Sequence, residues 1–253
     1  DVAVSGSLTA SGSSVVMDAA RTAYVSGTLT VTGANSTTQM KAKEHVYATG
    51  AITINGTGSN TFTVMAGRDF YLNSAITGAS GKPLTVNIYT DVDNSGGGAI
   101  VLNTSSSITT YGGNITMRGG TGDTTAGCAA AKTCIAGYAS NSGGDWIGAD
   151  CCGGWNVGYQ DNVDGITIVS TGTIDAGSGS ITMLGRTSDT TYYGVLMYNG
   201  TTLKAGGNIN ITGIAAGNAR GVHLDGTVWS TSGDITINGT GGNGVYIANK
   251  VVA

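Results

Sequence analysis

The residues with the most reactive chemistry are gathered in one stretch. Cys128, Cys134, Cys151 and Cys152 are the only cysteines, and all lie within 120–163. The same stretch holds Tyr138, Trp146, Trp155 and Tyr159. In an exported chain such cysteines are expected as disulfides. Three pairings are open; the favoured pattern joins Cys128 and Cys134 each to one of the adjacent pair. Bonds to a neighbouring subunit are an alternative. Zinc fits the Cys-x5-Cys and Cys-Cys spacings poorly. The aromatics suit an interface, since Trp and Tyr anchor contacts; the plainer reading is a stapled surface loop.

Carboxylates are few. Asp161-Asn162-Val163-Asp164 is the densest group, with Asp145 and Asp150 nearby. A glycan-cleaving site needs paired carboxylates on one face, and no Arg or His accompanies these in sequence. The one glutamate, Glu44, sits in Lys41-Ala42-Lys43-Glu44-His45, which reads as a solvated turn. His223, between Val222 and Leu224, reads as an outward surface histidine. These features argue for a protein that is not an enzyme. Asp91-Val92-Asp93-Asn94-Ser95-Gly96 resembles the start of a calcium loop, with Asp91, Asp93 and Ser95 as oxygen donors. Leu102 stands where a closing bidentate glutamate belongs. The expectation is therefore no cofactor, with calcium as the one the pattern admits. Asn35, Asn55, Asn103, Asn114, Asn199, Asn210 and Asn238 lie in Asn-x-Ser/Thr sequons and are glycosylation candidates.

The elements that must position these residues are dictated by composition. Among 253 residues there are 44 glycines and one proline (Pro83), and charged residues make up only 10%. Collagen needs a strict period and much proline. Helical proteins need Glu, Lys and Leu, and ordinary disorder is rich in charge and proline. What is left is Gly-rich turns joining Thr/Val/Ile strands. A net charge of −4 argues against nucleic acid. No apolar run is long enough for a membrane helix.

A short module recurs: Gly, a polar residue, then apolar-polar-apolar. It appears in Gly27–Val31, Gly50–Ile54, Gly113–Met117, Gly179–Met183, Gly207–Ile211 and Gly233–Ile237. A second module, Gly194-Val195-Leu196-Met197, returns at Gly221 and Gly244. A third strand, with Leu203 and then Val228, lies between the two. Alternation by two buries one face of each strand. The whole unit repeats at roughly 21–28 residues, the length of one solenoid coil. The reading is an all-β parallel β-helix, or β-solenoid, of about eight to nine coils. It forms one domain over 1–253, with 120–163 as a disulfide-bearing loop excursion. Ile181, Ile209 and Ile235 should form one inward ladder, and Val195, Val222 and Val245 another. Asn210 should point outward.

Val64-Met65-Ala66-Gly67-Arg68-Asp69-Phe70-Tyr71-Leu72-Asn73-Ser74-Ala75-Ile76-Thr77 resembles the repeats of filamentous-haemagglutinin-type exoproteins, as does Ala205–Ile211. The resemblance covers most of the chain outside 120–163. It implies a right-handed parallel β-helix, secretion, and a place in cell-surface fibres or adhesion. The family's Asn-Pro-type secretion motif is missing, so the chain matches a shaft and not a secretion domain. Asp1 in place of Met reads as the start of a processed or excised segment of an exported protein.

Solenoid ends carry unpaired backbone groups and need a cover. Val2-Ala3-Val4 and Val251-Val252-Ala253 are strand-like and apolar, so the ends are expected to join something. The expected role is an extracellular structural subunit that self-assembles into a filament, sheath or surface layer. The alternatives are an adhesin shaft and a polysaccharide-active enzyme. The expected partners are copies of the chain, end-to-end or lateral, and cell-surface glycans, with neither nucleic acid nor a membrane span.

Overall fold

The structure is a computed structural model. It describes residues 1–92, 98–104, 106–119, 164–169, 172–187 and 190–253, with the backbone alone at 139–141. Every regular element among them is a strand. The strands form three parallel sheets, and the chain visits the sheets in turn to make a β-solenoid of about eight turns. Sheet A starts with Val2–Val4 and ends with Val245–Ile247; sheet B runs from Ser7–Ala10 to Val251–Val252; sheet C runs from Ser14–Ala19 to Ile235–Thr240. No helix of the described residues is long and apolar enough to cross a membrane.

The alternating pattern produces the core directly. Ile181, Ile209 and Ile235 pair in register on sheet C. Val195, Val222 and Val245 do so on sheet A, and Leu203 with Val228 on sheet B. The inward apolar residues merge into one column that includes Leu29, Ile52, Phe62, Phe70 and Ile209, each fully buried. Identical side chains stack because each strand lies ~4.8 Å above its predecessor.

The rungs on either side of 120–163 pair directly: Ile100 with Ile166, Ile108 with Ile174, and Ile115 with Ile181. The stack therefore closes across this segment. It is not all loop, however. Ala139–Asn141 is a strand that pairs in parallel with Gly185–Thr187 of sheet C. Cys128, Cys134, Cys151, Cys152, Tyr138, Trp146, Trp155 and Tyr159 lie outside the described residues, as do Asp93, Ser95, Asp145, Asp150 and Asp161.

The glycine-rich corners have a steric cause. A Cβ at Gly27 would collide with the carbonyl oxygen of Gly6, and one at Gly50 with that of Gly27. Close passage of successive coils, more than an unusual φ, selects glycine in this column. The corner between sheets B and C is pinned by a polar ladder. Ser180 N donates to Asn114 Oδ1 at 2.9 Å, Asn208 N to Ser180 Oγ at 3.1 Å, and Asp234 N to Asn208 Oδ1 at 2.9 Å. Each side chain thus satisfies a backbone N–H of the next coil.

Candidate functional site

The outer faces and the two end coils are where this fold can meet a partner. On sheet A the outward column runs Ala3, Tyr24, Tyr47, Tyr71, Val101, Thr167, Leu196, His223, Tyr246. Tyr24 and Tyr47 stack with centroids 5.4 Å apart, and Tyr71 follows at 6.2 Å. Tyr71 is only 2% exposed. Its hydroxyl accepts a hydrogen bond from Asn103 Nδ2, and burial raises its pKa. His45 Nδ1 lies 3.1 Å from Asp69 Oδ2, out of hydrogen-bond alignment, while Asp69 Oδ1 accepts from Ala99 N at 2.8 Å. The Lys41–His45 stretch is a corner in which Lys43 is exposed and His45 half-buried, so it is only partly the solvated turn expected.

His223 points outward from sheet A, as its neighbours Val222 and Leu224 predict, but it is not a free surface histidine. Its side chain is 13% exposed, wedged edge-on between Tyr193 and Tyr246, with centroids at 4.7 and 4.8 Å. Its Nδ1 is 3.0 Å from Arg220 Nη1 and its Nε2 2.9 Å from Asp225 Oδ1. Arg220 also covers the Tyr246 ring at 4.0 Å. Because arginine can only donate, Nδ1 accepts and the Nε2–H donates to Asp225. Alternation alone could not reveal this, since the partners come from the flanking corner and from neighbouring coils.

Asp164 is the one described carboxylate of the Asp161–Asp164 group. It is buried, accepting from Tyr193 N at 2.7 Å and Thr167 Oγ1 at 2.9 Å. Burial pushes its pKa up to about 6, against the pull of those two hydrogen bonds. Asp91 is buried with φ 53°. All seven sequon asparagines are exposed or half-exposed, and Asn210 faces outward as expected. Asn103 already donates its Nδ2, the atom a glycan would occupy, to Tyr71. Among the described residues no group of three or more His, Cys, Asp or Glu side chains is arranged to hold a metal ion.

Sheet B carries an outward column that sequence reading passed over: Thr9, Thr30, Thr53, Thr77, Thr109, then Asp175, Lys204, Trp229 and Val252. Five threonines form a uniform ladder, and then four residues of different chemistry replace it. The signal was the position directly after each inward Ile, Leu or Val. On sheet C, Arg118 covers Tyr89 at 5.1 Å. Burial lowers the pKa of Arg186, whose Nη1 has no hydrogen-bond partner.

The end coils differ from the interior in one respect. Inward positions that are sealed inside the stack are open there. Leu29, Val222 and Leu224 are fully buried. Their register equivalents Leu8, Val245 and Ile247 are 41%, 39% and 43% exposed, and Val251 is also uncovered. No family model, curated protein or solved structure matches the chain.

Proposed function

We propose that the chain is a non-enzymatic extracellular structural protein whose β-solenoid joins further coils at its ends to build a filament, sheath or surface layer. The in-register ladders carry this reading: each coil offers the next the same apolar rungs and the same backbone pairing, as with Ile181, Ile209 and Ile235. Leu8 at one end, and Val245, Ile247 and Val251 at the other, present the cross-section of the core to solvent. Only about 40% of each is still exposed, so covering it is worth roughly 0.6–1.2 kcal/mol. A surface of the same three-sided outline, with strands ready to pair, is the natural cover. A head-to-tail joint of this kind does not close on itself and propagates. The low charge of the chain, 10% of residues, leaves little repulsion to oppose it.

Electron microscopy of the purified chain tests the proposal. The expected result is rods many times the length of one chain, lost in Ile247→Lys, which places a charge in the joint. Monodisperse single rods at high concentration would refute it. A second reading, the shaft of a larger adhesin, is favoured by the resemblance of Val64–Thr77 and Ala205–Ile211 to exoprotein repeats. There the same rungs are covered by further coils of one chain. A version extended by such coils would then stay monomeric while the isolated segment polymerises.

A further inference from the structure

The geometry points to a binding platform for a neutral oligosaccharide on sheet B, centred on Trp229. In this column a uniform threonine ladder gives way to Asp175, Lys204 and Trp229 on three successive coils. Nothing in the fold requires the change, since threonine serves the same position five times. Trp229 is 44% exposed, and a large aromatic left on a flat polar sheet costs solubility without adding to the core.

The surroundings of the indole are ordered and polar. Asp175 Oδ1 accepts from Gly177 N at 2.7 Å, and Asp175 Oδ2 holds Lys204 Nζ at 3.1 Å. The ammonium in turn lies 5.9 Å from the Trp229 ring centroid. Thr202 and Thr227 are paired on the same two coils, one outward column away. The result is an exposed indole with the Lys204 ammonium over its ring, and hydroxyl and carboxylate groups on the neighbouring coils at ~4.8 Å spacing.

That combination selects its ligand. A pyranose ring offers a C–H face to an aromatic plate and a rim of hydroxyls that both donate and accept. Lys204 and Asp175 neutralise one another, so the platform carries no net charge to attract an anionic chain. A linear repeat of edge groups suits an extended oligomer over a single sugar. The platform lies on an outer sheet face, one rung from the last strand, where Trp229 is in register with Val252.

The test is a titration of the intact chain with cellohexaose, laminarihexaose, chitohexaose and maltohexaose separately. It is followed by the indole N–H resonance of Trp229, assigned by its loss in Trp229→Phe. At least one sugar should shift that resonance at millimolar concentration. Trp229→Ala should weaken its binding about tenfold or more, the usual scale for an aromatic anchor. Lys204→Met should weaken it less, and Thr53→Ala, on the same face four or more coils away, should leave it unchanged. The absence of a shift with all four sugars, or wild-type affinity in Trp229→Ala, would overturn the inference. Electron microscopy of the same sample reads end-to-end joining separately, so either idea can fail while the other stands.

Discussion

Asp164 makes the stability of the stack depend on pH in a direction opposite to that of most carboxylates. Its pKa rises from 3.8 to about 6 on folding, because burial outweighs the hydrogen bonds from Tyr193 N and Thr167 Oγ1. A group with a raised folded pKa favours the folded state when protonated. Below pH 4 it is protonated both folded and unfolded, and its cost vanishes. Between pH 4 and 6 the cost grows, and above pH 6 it is constant. A shift of about two units corresponds to ~3 kcal/mol. The perturbation is Asp164→Asn. The amide oxygen can still accept from Tyr193 N, and the amide nitrogen can donate to the Thr167 hydroxyl, so only the charge is lost. Urea unfolding followed by circular dichroism at pH 3.5, 5 and 7.5 reads the difference between the two proteins. The variant should be more stable at pH 7.5 by about 2–3 kcal/mol, with the gain shrinking to near zero at pH 3.5. Subtracting the two curves removes every other titrating group. A difference that does not change with pH would refute the reasoning.

Substitutions at two further positions probe the stack itself. Ile209→Asp places a carboxylate in a fully buried ladder between Ile181 and Ile235 and should prevent folding; Ile209→Ala should fold but lose about 2–5 kcal/mol in urea unfolding. Gly50→Ala drives a methyl group into the Gly27 carbonyl of the coil beneath and should cost about 1–3 kcal/mol or more. Thr53→Ala, at an outward position three residues on, is the control and should change the same thermal melt little.

The inward half of this protein was legible before any coordinates. Ile181, Ile209 and Ile235 recur with the period of the coil, and a period of two along each strand assigns them to the core. The outward half was not, for a physical reason. An inward position is apolar in nearly every coil, with exceptions such as Thr38 in register with Phe62, so its pattern repeats; an outward position is free to change from coil to coil. Trp229 shares its column with Thr53, yet nothing in the repeat announces it. His223 is placed on the correct face, and the Val222–Val245 ladder already sets Tyr246 beside it; Arg220 and Tyr193 approach from the corners, whose path the repeat does not fix. Gly-rich turns are legible from composition, but the demand on Gly27 and Gly50 comes from the coil below, which composition does not reveal.

The direct pairing of Ile100 with Ile166, Ile108 with Ile174 and Ile115 with Ile181 separates the column from whatever leaves it between Gly119 and Asp164. Such a column behaves as a spine to which a branch can be grafted between two vertebrae. The entropic cost of the graft grows only slowly with its length, and the rungs above and below are untouched by its content. Change can therefore accumulate in the branch while the spine keeps its repeat.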